Sequence, residues 1–143
     1  MSDKPHASVS CPVDLRKDEL ILLGHGSGGR MTQELITDLF LKAFRHPELA
    51  RQDDQAVINI GGIRLAFSTD SFVVDPIFFP AGNIGNLAVN GTINDLCMSG
   101  AKPLYLSVAF IIEEGLAMED LRTVVTSMER TASEIGVSIV TGD

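Results

Sequence analysis

The sequence predicts an α+β domain, with a mixed, mainly antiparallel sheet and about three helices on one face. Three observations predict it. Residues 56–60 and 63–68 are β-rich runs joined by Gly61-Gly62, a two-residue hairpin signal. Leu104, Leu106, Val108, Phe110 and Ile112 alternate without a break, as a strand with one buried face does. Leu121, Val124, Val125, Met128, Ala132 and Ile135 recur at helical spacing, and a further strand follows at residues 137–141.

The remaining elements follow in chain order. Leu20, Ile21, Leu22 and Leu23 form a short apolar run that reads as a brief strand or extended lead-in to Gly24. After a glycine-rich loop, Leu35, Ile36, Leu39, Phe40, Ala43 and Phe44 define one buried helical stripe. His46-Pro47 ends that helix, because the residue before proline disfavours the α region. Residues 72–79 are apolar and β-branched or aromatic but broken by Pro76, which predicts an edge strand or a loop. Asn83 is placed as an N-cap for a helix over residues 84–98, with Ile84, Leu87 and Ala88 on one side and Gly100 as its stop. Small residues on that helix (Ala88, Gly91, Thr92, and Ser99 at its end) predict tight packing against a neighbour. Glu119-Asp120 suit the first turn of the last helix and Gly136 its end.

Composition narrows the function classes. At 143 residues, 45% hydrophobic and 21% charged, the chain is globular and long enough for a real core. A net charge of −8 argues against nucleic acid, whose backbone calls for clustered Lys and Arg. No apolar run approaches the roughly 20 residues of a membrane span. Residues 1–19 are polar, carry Pro5 and Pro12, and read as a loose tail without a signal-peptide core. Cys11 and Cys97 make neither a disulfide framework nor a zinc motif, so a reducing, cytoplasmic setting is the simpler expectation. His6, His25 and His46 leave little material for a histidine triad or metal centre.

Two features carry chemistry. Gly24-His25-Gly26-Ser27-Gly28-Gly29-Arg30 holds four glycines and a serine before a helix, so successive backbone N–H groups could converge on an anion at the helix's positive end. The same string would serve as an ordinary flexible turn, and it matches neither of the common nucleotide-loop patterns. Carboxylates then recur at Asp53-Asp54, at Asp70 within Ser68-Thr69-Asp70-Ser71, at Asp95 and at Asp143, where strands or helices should end. A phosphate-cradling loop with scattered carboxylates is what a magnesium–nucleotide site requires. Each has a plainer reading as well. Adjacent aspartates are usually a solvated turn, and periodicity leaves open whether Asp95 faces solvent or a ligand.

These residues resemble a known family. Residues 68–80 (STDSFVVDPIFFP), Gly82-Asn83-Ile84-Gly85, Asn94-Asp95, Ser99-Gly100-Ala101-Lys102-Pro103 and Thr141-Gly142-Asp143 resemble the hydrogenase maturation factor HypE family, and GHGSGGRM at residues 24–31 matches its opening. The resemblance covers about residues 20–143, with motif order and spacing in agreement. That family belongs to a superfamily with aminoimidazole ribonucleotide synthetase, selenophosphate synthetase and thiamine-monophosphate kinase. The resemblance implies a domain at residues 20–143 that binds ATP and Mg2+ and forms a homodimer through its sheet. It implies an ATP-dependent dehydration of a carboxamide on a C-terminal cysteine to thiocyanate, the cyanide source for [NiFe]-hydrogenase. A HypF-like carbamoyltransferase and a HypC–HypD-like complex are the implied partners.

Carried over by position, Asp54, Asp70, Asp95 and Asp143 look like the magnesium-holding carboxylates. Gly26, Ser27, Gly28 and Gly29 resemble the loop over the phosphates, and Asn94 could support the same site. The chain corresponds to the N-terminal half of such a protein. Neither Cys11 nor Cys97 stands at the family's acceptor position, so no catalytic nucleophile is assigned, and Ala81 replaces a glycine common in the family. Two other readings stand beside this one: a non-catalytic dimerisation module, and another ATP-dependent enzyme of the superfamily such as a selenophosphate synthetase. Against the latter, no reactive Cys or Lys precedes the glycine loop where such an enzyme would use it.

Overall fold

The computed structural model describes residues 20–143; the expected tail at residues 1–19, with Cys11, lies outside the described residues. The chain adopts the α+β class and divides into two compact units, one ending at Arg45 and one running His46–Asp143.

In the first unit the apolar lead-in is not a strand. Leu23–Gly26 is a 3-10 turn, and Leu20, Ile21 and Leu23 are exposed. Among the described residues no strand pairs with it, and the His25 N–H donates locally to the Leu22 carbonyl at 2.9 Å. Helix α1 (Arg30–Leu35) runs through a π segment (Ile36–Phe40) into α2 (Leu41–Phe44). The predicted buried stripe fails beyond that point: Leu35 and Ile36 are half-buried, but Leu39, Phe40 and Phe44 are exposed. A π turn adds a residue and rotates everything after it, so residues counted at 3.6 per turn no longer share a face. The Thr37 hydroxyl marks the spot, donating to the Gln33 and Glu34 carbonyls. The run ends as expected, with Arg45 left-handed and His46 extended before Pro47.

In the second unit, a short helix α3 (Pro47–Ala50) leads to the hairpin β1 (Ala56–Ile60) and β2 (Ile63–Phe67), with Gly61 and Gly62 both at positive φ as the tight turn demands. Residues 68–77 form a loop with a cis Asp75–Pro76 bond, closed by the two-residue strands β3 (Phe78–Phe79) and β4 (Gly82–Asn83). Helix α4 (Ile84–Met98) begins at the Asn83 cap and α5 (Met118–Ile135) ends at left-handed Gly136. Between and after them, β5 (Tyr105–Val108) pairs in parallel with β6 (Ser138–Gly142).

The core is Val89 and Ile93 of α4, Val124, Met128 and Ala132 of α5, Leu106 of β5, and Val137. Three expectations shift here. Leu87 is exposed, because α4 buries Gly85, Val89 and Ile93 at four-residue steps instead. Val125 and Ile135 of the predicted α5 stripe are also exposed. The strand predicted through Ile112 stops at Val108; beyond it the Phe110 N–H donates to the Asp143 carbonyl at 2.9 Å, and Ile112 is exposed.

The helices touch where small residues allow it. A methyl built on Gly85 would lie 2.5 Å from the Val124 carbonyl oxygen. Gly85→Ala should therefore destabilise the chain by about 1–3 kcal/mol through overpacking, despite alanine's better helix propensity. A thermal melt equal to the parent's would contradict this packing.

Candidate functional site

The strongest convergence of chemistry lies where β2, the following loop and α4 meet. Strand β2 delivers Ser68, whose hydroxyl shares its proton between the Asp54 carbonyl at 3.0 Å and Asp95 Oδ2 at 3.2 Å. Asp95 is half-buried on α4, and Asn94 beside it is exposed. Asp95 also occupies the last turn of α4, the negative end of the helix dipole, with no basic residue there. A carboxylate at that place is not there for helix stability.

Asp70 completes the group. Its carboxyl is held above the ordinary 3.8, first by partial desolvation, then by the charge of Asp95 and a side-chain hydrogen bond to it, then by the charge of Asp54. Two carboxylates remote in sequence from Asp70 thus act on its charge. Asp53 stands apart, paired with Arg51 at 2.9 Å. Asp143 is held through its backbone, its N–H donating to the Val108 carbonyl at 3.1 Å. A cleft of about 150 Å3 opens beside the group, lined by Ser68, Thr69, Asp70, Thr92 and Ser107 among others.

The glycine loop of the first unit is closed by its own bonds. The Ser27 hydroxyl donates to the Gly24 carbonyl at 2.9 Å, and Gly28 N–H donates to Thr32 Oγ1 at 3.0 Å, with Gly28 at φ +74°. His25 Nδ1 accepts from Leu22 N–H at 2.9 Å, and Arg30 faces Glu34 at 3.5 Å. Gly26 and Gly29 are exposed within this turn. Thr32 was absent from the expected loop set; a hydroxyl one helical turn inside the loop is the signal that marks it.

The family profile "AIR synthase related protein, N-terminal domain" matches residues 52–143. The chain belongs to that family. This AIR synthase related chain is 59% identical to carbamoyl dehydratase HypE of Escherichia coli K12 over 128 residues, covering 86% of this chain and 38% of that protein. It is 53% identical to carbamoyl dehydratase HypE of Bradyrhizobium diazoefficiens over 121 residues, 85% of this chain and 35% of that one. Among solved structures, a HypE–HypF complex matches with TM-score 0.70 at 50% identity, over 76% of this chain and 35% of that one. HypE in complex with ATP matches with TM-score 0.56 at 56% identity, over 87% and 37%. The chain thus spans little more than a third of the relatives it matches.

Whether the AIR synthase related site suits magnesium can be judged from its donors. Among the described residues, no three acidic, imidazole or thiol groups stand close enough to cage an ion. Magnesium does not ask for a cage: it takes one or two carboxylates and completes its six oxygens with water and phosphate. Asp70 and Asp95 supply two hard oxygen donors whose repulsion a dication would relieve. One residue from Asp54, Gln55 Oε1 is buried without a donor, a further oxygen left unsatisfied. The donor set fits. No helix among the described residues is long and apolar enough to cross a membrane.

Proposed function

We propose that this chain is the nucleotide-binding, dimerising portion, residues 20–143, of a HypE-type carbamoyl dehydratase. The whole enzyme would use ATP to dehydrate a carboxamide on a C-terminal cysteine to thiocyanate for [NiFe]-hydrogenase maturation in the cytoplasm. The observation that carries it is the meeting of Asp70 with Asp95 at the end of β2, under the influence of Asp54. In this reading Asp70 and Asp95 hold Mg2+, Asp54 adds negative field, Asp143 joins from the end of β6, and Ser68 fixes the Asp95 carboxylate through its hydroxyl. Gly26, Ser27, Gly28 and Gly29 are proposed as phosphate-binding residues through their backbone amides, and Asn94 as a nucleotide-binding residue beside Asp95. Magnesium, when bound, neutralises phosphate charge during phosphoryl transfer. A HypF-like carbamoyltransferase and a HypC–HypD-like complex are the proposed partners. Calorimetric titration with Mg–ATP tests the reading: saturable heat that disappears without Mg2+ is expected, and no heat at millimolar nucleotide would leave a dimerisation module.

The homodimer has its own support. In the hairpin, Ile58 faces Leu65, Ile60 faces Ile63 and Ala56 faces Phe67, and the five large side chains of that face are 39–65% exposed. So continuous an apolar face marks an association surface. Leu65→Arg would place an unpaired charge at its centre, met twice across a two-fold axis, costing about 3–5 kcal/mol. Light scattering should then show a dimeric parent and a monomeric variant; a monomeric parent at tens of micromolar would refute the interface.

A further inference from the structure

We propose that Phe72 and Gly91 form a ring-and-notch pin that sets the spacing of Asp70 from Asp95, making both of them positioning residues for the cation–nucleotide site; the inference rests on the reading of that site given above. Between Phe67 and Phe78 the chain belongs to no strand or helix, so no ladder fixes Asp70. Asp70, Ser71, Val73 and Asp75 are exposed, Val73 almost fully at 97%, while Phe72 turns inward. Its ring lies on α4 at Gly91, where a methyl would come within 2.7 Å of Cε1 and of Cζ.

The two ends of this contact are tied to the two carboxylates. Phe72 is two residues from Asp70 along the loop, and Gly91 is four residues from Asp95, on the same face of α4. A glycine at the middle of a 15-residue helix is a poor helix former, so its presence calls for a local reason. The approach of the ring supplies one. With the ring seated in the notch, the loop carries Asp70 past α4 at the height of Asp95; with the ring lifted, the spacing of the carboxylates is unconstrained.

Three variants test the pin: Gly91→Ala, Phe72→Leu, and both together. Leucine lacks the two ring atoms that the new methyl would strike, so the double variant should reseat the loop. Amide NMR spectra of residues 68–71 and 95 are recorded for each without ligand, alongside melts and Mg–ATP calorimetry. Gly91→Ala should displace those amides and weaken Mg–ATP binding about tenfold or more while its Tm stays within about 3 °C of the parent, because alanine's helix propensity offsets the strain. The double variant should recover the parent's amide positions and most of the affinity. Unmoved amides in Gly91→Ala, or no recovery in the double variant, overturns the pin. If Gly91→Ala fails to fold, Phe72→Leu, which only removes atoms, decides: faster hydrogen exchange at residues 68–71 supports the pin and unchanged exchange overturns it. A parent that binds no Mg–ATP defeats the nucleotide reading separately, and the amide spectra still judge the pin.

Discussion

Asp70→Asn abolishes magnesium-dependent nucleotide binding and leaves the chain folded, slightly more stable than the parent. The substitution removes one charged oxygen donor and almost no volume. Loss of a partner behind a metal ligand alone weakens affinity by about 10–100-fold, so loss of the ligand should reach at least the upper end of that range. Stability moves the other way. The Asp70 carboxyl titrates above its unfolded value of 3.8, so the folded chain binds more protons than the unfolded chain in the window that begins there. Stability from this group is therefore lost as pH rises through that window, and at neutral pH its charge works against folding. Asparagine relieves that strain. Asp70 is exposed, so screening holds the gain to about 0.5 kcal/mol, roughly 1–2 °C in Tm, vanishing below about pH 4. Added Mg2+ should raise the parent's Tm and not the variant's. Equal Mg–ATP binding by both proteins would remove Asp70 from the site.

Asn83→Ala costs about 2–4 kcal/mol, a fall in Tm of roughly 10 °C. Asn83 is buried, 6% exposed, and its Oδ1 accepts from Gly85 N–H at 2.8 Å, Asn86 N–H at 3.4 Å and the Ser127 hydroxyl at 2.7 Å. The first two bonds cap α4, and the third ties the cap to α5. Alanine leaves the buried Gly85 N–H without an acceptor and cuts that tie. Asn83→Asp keeps the oxygen and places its charge at the favourable end of the helix, so it should retain most of the stability. An alanine variant within 0.5 kcal/mol of the parent in denaturant melts would show that the cap contributes nothing. The consequence reaches the site, because α4 carries both Gly91 and Asp95.

Local signals were legible where one element carries them whole. Gly61-Gly62 marked the hairpin, Asn83 the cap and Gly136 the helix end, each through a backbone requirement that few residues meet. Patterns that depend on a partner were less legible. The alternation from Leu104 to Ile112 runs past the end of β5 at Val108, and the stripe from Leu35 to Phe44 loses phase at the π segment. The aspartates could be named from the motif they sit in, and the small residues of α4, Gly91 among them, announced a close neighbour; that the neighbour is the Phe72 ring, and that the Ser68 hydroxyl reaches Asp95, depends on atoms far away in the chain.

By itself the sequence determined the element types, the turn and cap positions, and the acidic and glycine-rich residues from which a nucleotide site is drawn. Only the tertiary structure decided which carboxylates meet: Asp70 faces Asp95 near Asp54, Asp53 turns to Arg51, and Asp143 is held by β5. The physical reason is range. Propensity and capping act over a few neighbouring residues, whereas repulsion between Asp70 and Asp95 exists only once a loop and a helix 25 residues apart are packed together, here with a phenyl ring against a helix that lacks a side chain at Gly91.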